Sequence, residues 1–178
     1  ADHNAMIDPP TADIAARVLE FMGYVGYDRR FSRIDRAVRY LQSEQEADGS
    51  WFGRWGVNYI YGTWQALRGL AAIDEDMSQP YVKKALAWLK SVQQPDGGWG
   101  ETCITYADPS QKGRGPSTPS QTAWAVMGLL AAGVCDDSVR RGVDYLARTL
   151  REDGTWDETE YTGTGFPKVY YLEYTMYR

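Results

Sequence analysis

Basic, small, aromatic and aliphatic positions recur along the chain at helical spacing, and each run ends in an Asp-Gly pair followed by a Trp. The first copy reads Arg36-Ala37-x-x-Tyr40-Leu41-x-x-x-Gln45, closed by Asp48-Gly49-Ser50-Trp51. The second reads Lys84-Ala85-x-x-Trp88-Leu89-x-x-x-Gln93, closed by Asp96-Gly97-Gly98-Trp99. The third reads Arg141-Gly142-x-x-Tyr145-Leu146, closed by Asp153-Gly154-Thr155-Trp156, with Leu150 in place of the glutamine. This pattern predicts an amphipathic helix that stops at a turn and presents an indole. The Gln side chain is expected to reach backbone groups left unpaired at a neighbouring helix end, with the Trp covering them, so that each unit staples successive helices.

Between these helices lie segments richer in small and apolar residues, 11–22, 62–72 and 118–132, which read as more buried. Thr11 and Thr118 are placed to cap helix N-termini, Pro119 suits a first turn, and Gly23 and Gly133 suit helix ends. An outer amphipathic helix alternating with a less polar inner one predicts an all-α fold, a partial α/α toroid with almost no sheet. Residues 1–178 are read as a single domain of it.

Composition narrows the function. A formal charge of −5 with scattered Lys and Arg offers no basic stripe for phosphates, which argues against nucleic acid. Cys103 and Cys135 are far apart and read as free buried thiols in a reducing compartment. With His3 the sole histidine, a His/Cys zinc site is not expected. No apolar run reaches the roughly 20 residues of a spanning helix. The chain opens at Ala1 with no initiator Met, its first ten residues hold no apolar signal core, and the aromatic run from Tyr170 to Tyr177 is cut at Arg178 inside an amphipathic segment. Both ends are therefore expected to be internal to a longer protein. Aromatic content of 13%, with seven Trp and thirteen Tyr, is high enough that core packing need not account for every ring.

The repeats, together with Asp8-Pro9-Pro10-Thr11, Gly53-Arg54-Trp55-Gly56-Val57-Asn58-Tyr59-Ile60-Tyr61-Gly62, Ser117-Thr118-Pro119-Ser120-Gln121-Thr122-Ala123-Trp124 and Gly163-Thr164-Gly165-Phe166-Pro167, resemble the Gln/Gly-x-Trp repeats and flanking segments of the triterpene cyclases. The last stretch is closer to the squalene-hopene cyclases than to the oxidosqualene cyclases. The resemblance covers nearly the whole chain. It implies a carboxy-terminal part of the catalytic barrel of an enzyme that protonates an alkene of squalene, or a related polyprenyl hydrocarbon, and closes rings through carbocations, without metal or organic cofactor. It also implies a cytoplasmic protein resting on a membrane surface, completed by the remaining part of the full-length cyclase, and it admits a homodimer. The family's Asp-x-Asp-Asp acid is not in these residues, so the chain alone is expected to be inactive.

The same resemblance assigns site residues. Asp13 matches a carboxylate that supports the protonating aspartate; the plain alternative is an early-helix acid favoured by the dipole. Arg17 stands where some members carry a histidine that pairs with the acid. It can anchor a carboxylate but not relay a proton, and an ion pair with Asp13 or Glu20 is the alternative. Trp55, Tyr61, Phe166, Tyr170, Tyr174 and Tyr177 match rings that line the cavity and stabilise cations without trapping them. The helical spacing of Tyr170, Tyr174 and Tyr177 fits one packed helix face equally well. Two rival functions remain: a protein prenyltransferase subunit, which would need a zinc triad, and a non-catalytic toroid used for binding or scaffolding.

Overall fold

The computed structural model describes residues 9–173, which form six α-helices and one short hairpin. The helices are α1 (Ala12–Tyr24), α2 (Ser32–Ser43), α3 (Tyr59–Ala72), α4 (Pro80–Ser91), α5 (Pro119–Ala131) and α6 (Asp137–Thr149). The odd-numbered helices form the inner row, with α3 between α1 and α5, and the even-numbered helices pack outside them. The fold is thus a partial α/α toroid.

Burial follows the sequence pattern. In α2, Ile34, Val38 and Leu41 fall on one face and are buried, each worth about 1.5–3 kcal/mol on removal from water. In α6 the buried face is Val139, Gly142 and Tyr145. By contrast α3 is buried nearly all round, including Thr63, Gln65 and Gly69. The inner row is close-packed because small residues let its backbones approach: a Cβ on Gly69 would lie 2.4 Å from the Ala16 carbonyl oxygen. Helix α1 differs from α3 and α5 in leaving an apolar stripe, Ile14, Val18 and Phe21, exposed on its far side.

The three Asp-Gly-x-Trp turns share one geometry. Trp51 and Trp99 are fully buried, and their indole N–H groups donate to the carbonyls of Leu41 (2.6 Å) and Leu89 (2.8 Å), in the last turns of α2 and α4. Trp156 donates likewise to Leu146 (2.9 Å) in α6. Each indole therefore caps the C-terminus of its own helix, a polar duty beyond apolar cover. The glutamines act on the next outer helix: Gln45 Nε2 donates to the Gly49 and Tyr81 carbonyls, and Gln93 Nε2 to those of Gly97 and Ser138. Leu150 has no such task, because among the described residues no outer helix follows α6.

Several expectations need correction. Thr118 caps α5 by accepting from the Gln121 N–H (3.2 Å), whereas the Thr11 hydroxyl caps nothing in α1. Gly133 does terminate α5 with φ +75°, but Gly23 lies within α1, where a Cβ would meet the Ala72 carbonyl oxygen at 2.1 Å; the left-handed residue after α1 is Gly26, φ +89°. Cys135 is exposed and Cys103 half-buried, so neither is a fully buried thiol. Strands β1 (Gly163–Phe166) and β2 (Tyr170–Leu172) pair antiparallel, with a bulge between Thr164 and Phe166. Tyr170 thus opens a strand, where a helix face was expected; Tyr174 and Tyr177 lie outside the described residues.

Candidate functional site

The loop 53–58, between the first Trp turn and α3, is held from four directions. Asp13, in the first turn of α1, is buried, and its Oδ2 accepts from the backbone N–H groups of Arg54 and Trp55, both at 2.9 Å. Its Oδ1 accepts from Ile14 N. The hairpin adds backbone bonds from Val57 N to the Thr162 carbonyl and from Thr164 N to the Trp55 carbonyl. From a short 3₁₀ turn at Cys103–Tyr106, the Tyr106 hydroxyl shares its proton between the carbonyls of Gly53 (2.9 Å) and Gly56 (2.8 Å). Burial first, then the charge of Glu101, push the Tyr106 phenol well above its ordinary pKa, so it remains a donor. The fourth support is Glu101, whose Oε1 accepts from Asn58 N and Ile60 N and whose Oε2 accepts from Gly113 N. Glu101 is therefore the N-terminal cap that α3 does not supply from its own chain, Asn58 making no side-chain cap.

These supports gather one group of the expected site residues. Phe166 and Tyr170 meet edge to face at 5.6 Å, and the Arg54 guanidinium lies over Trp55 (4.5 Å) and Phe166 (5.8 Å). Trp55 and Phe166 are half-buried and Tyr170 is exposed.

A second group lies on the inner row. Tyr61 packs edge to face on Trp64 (5.7 Å) and Trp124 (5.1 Å), which stack with planes 6° apart. Arg17 lies 5.7 Å over the Trp64 ring. Arg17, Trp64, Trp124, Ala123, Met127 and Trp156 line most of an open cleft of about 460 Å³. Arg17 pairs with neither of its expected partners: Asp13 is taken by backbone N–H groups, and Glu20 pairs with Arg68. Asp13 and Arg17, one helical turn apart, thus serve different groups.

Sequence reasoning missed Arg54, Glu101, Tyr106, Trp64 and Trp124. A signal for Glu101 was present: Glu101 and Glu158 each stand two residues after a repeat Trp, and both cap an inner helix. Glu158 accepts from the Ser120 N–H (2.8 Å) and hydroxyl (2.6 Å) at the start of α5. No group of three or more His, Cys, Asp or Glu that could hold a metal occurs among the described residues. No helix among them is long and apolar enough to cross a membrane.

The family model of the squalene-hopene cyclase C-terminal domain matches residues 1–178. The chain is 56% identical over 178 residues to a squalene-hopene cyclase of Alicyclobacillus acidocaldarius, covering 99% of this chain and 28% of that protein. It is 49% identical over 180 residues to a probable squalene-hopene cyclase of Sinorhizobium fredii, again covering 99% and 28%. The chain thus spans little more than a quarter of the length of these relatives. Among solved structures, the ent-copalyl diphosphate synthase of Streptomyces platensis superposes with TM-score 0.66 at 23% identity, over 88% of this chain and 29% of that one. The type II terpene cyclase MstE of Scytonema, in complex with geranylgeranyl dihydroxybenzoate, gives 0.60 at 22% identity, over 85% and 39%. At these identities the two structures bear on the fold alone.

Proposed function

The chain belongs to the squalene-hopene cyclase family, and from that premise we propose that it forms one wall of a site that closes squalene, or a related polyprenyl hydrocarbon, into rings. The observation that carries this reading is the aromatic group on the 53–58 loop and the hairpin, where Trp55, Phe166 and Tyr170 converge from segments far apart in sequence. Ring faces stabilise a carbocation electrostatically by as much as about 2 kcal/mol each when water is excluded, and they do not react with it as an oxygen would. Tyr61 contributes from the inner row. Tyr174 and Tyr177 belong to the same proposal through the resemblance alone.

The proton comes from a carboxylic acid outside these residues. Asp13 acts on it indirectly, by fixing the loop amides of Arg54 and Trp55, and Arg17 at the cleft is free to anchor a carboxylate from the rest of the protein. A partial ring of helices cannot keep water from a cation, so the chain alone does not cyclise squalene. Peripheral contact with a membrane, a cytoplasmic location and pairing of two copies are carried by the family resemblance.

The test is product analysis by gas chromatography on the full-length cyclase. Phe166→Ala is expected to keep consuming squalene while releasing a larger share of partly cyclised alkenes, because the next closure loses its cation support. Asp13→Asn is expected to slow consumption with little change in product ratio, and the isolated chain should yield no cyclised product. Fully cyclised product still dominant with Phe166→Ala would assign that ring to packing; a wild-type protein that leaves squalene untouched would favour a scaffold.

A further inference from the structure

We infer that Arg54 is a positioning residue that sets the angle between Trp55 and Phe166 and, through it, how far the ring-forming cascade runs. This rests on the cyclase reading above. Arg54 is only 4% exposed, although it lies in a loop and carries a permanent charge. A guanidinium buried to this extent is held in a fixed place by the groups around it.

The geometry gives the charge a use. The Arg54 backbone N–H is fixed by Asp13 on α1, and its Nη1 donates to the Gly165 carbonyl (3.0 Å) on the hairpin, 111 residues away. Held at both ends, the guanidinium lies over Trp55 at 4.5 Å and over Phe166 at 5.8 Å. The backbone bonds between loop and hairpin fix where the two Cα atoms stand, but they leave the χ angles of both rings open. Arg54 lies over both rings, and a planar cation held over a ring face restricts its rotation. A displacement of these rings of about 1 Å is enough to change the competition between closing the next ring and losing a proton.

The experiment uses the full-length cyclase with Arg54→Lys and Arg54→Gln, and reads the ratio of partly to fully cyclised product among converted molecules. That ratio does not depend on how much enzyme folds, so a merely structural role would lower total conversion and leave it unchanged. Lysine keeps the charge but lacks the plane, so both variants are expected to raise the ratio about tenfold. A wild-type ratio in either variant overturns the inference. A wild-type enzyme that converts no squalene would instead overturn the cyclase reading.

Discussion

The first and second Trp turns are built from the same staple yet join their inner helices in opposite senses. At the second turn the acid is on the turn: Glu101, two residues after Trp99, reaches back to the amides that begin α3. The third turn repeats this with Glu158 and α5. At the first turn the corresponding residue is Gly53, and the acid is on the helix: Asp13 of α1 reaches forward to the amides of Arg54 and Trp55. A glutamate cannot stand at 53, because a Cβ there would lie 2.4 Å from the Asn58 carbonyl oxygen and 2.8 Å from that of Gly56. The exchange turns a junction that only caps a helix into one that displays two side chains. With its amides satisfied from α1, the loop is free to carry Arg54 and Trp55 toward the hairpin. Identical staples fix the helices, and the one junction that departs from the pattern carries the candidate site.

If the staple does the same work in the first two copies, Trp51→Ala and Trp99→Ala should each cost about 3–5 kcal/mol, the range for truncating a buried large ring. Trp156, which is only half-buried, should cost less. Urea melts of the three variants, followed by far-ultraviolet circular dichroism, give the ranking. A Trp51 variant as stable as wild type would mean that the first junction does not depend on its staple.

The next effect tests the acids. Glu101→Gln keeps the shape but replaces one acceptor oxygen with a donor facing backbone N–H groups, which should cost about 2 kcal/mol. Glu158→Gln should behave alike, since it serves the start of α5 as Glu101 serves that of α3. Glu158→Gln should leave the product ratio of the full-length enzyme unchanged. A changed ratio with Glu158→Gln would extend the site to the third junction.

How much of this was legible follows from the range of each interaction. The staples were readable because the helix, Gln, Asp-Gly and Trp sit within sixteen residues and repeat. The indole bond to a carbonyl ten residues back was not foreseen, since apolar periodicity carries no information about the N–H. The Asp13 link to residues 41 and 42 positions later, and the Arg54 link to Gly165, are products of the packed toroid that local spacing cannot encode. Tyr170 misled for a different reason. Its spacing from Tyr174 and Tyr177 suggested a helix face, but Gly163 and Gly165, then Pro167 and the left-handed Lys168 (φ +68°), direct the chain into a hairpin.

The smallest effect is one of sign, and it separates the two junctions by pH. In the first turn, Asp48 accepts from the Ser50 N–H and hydroxyl and lies 3.2 Å from Lys112 Nζ. Burial alone would raise its pKa, but Ser50 and Lys112 outweigh it and hold the carboxyl below the ordinary range. Its contribution is therefore complete above the unfolded value, about 3.9, and is lost as pH falls through the lower folded value. In the second turn, burial raises the Glu101 carboxyl, and the N–H groups of Ile60, Gly113 and Asn58 only partly oppose the rise. Its contribution is complete below the unfolded value, about 4.3, and declines as pH rises through the higher folded value. The stability lost by Asp48→Asn relative to wild type should thus grow as pH rises from about 3 to 5, while that lost by Glu101→Gln should shrink as pH rises from about 4 toward neutrality. Thermal melts of the three proteins across that range read both slopes. Slopes of the same sign would mean that Glu101 is stabilised as an anion as fully as Asp48, and the two junctions would then differ in geometry but not in electrostatics.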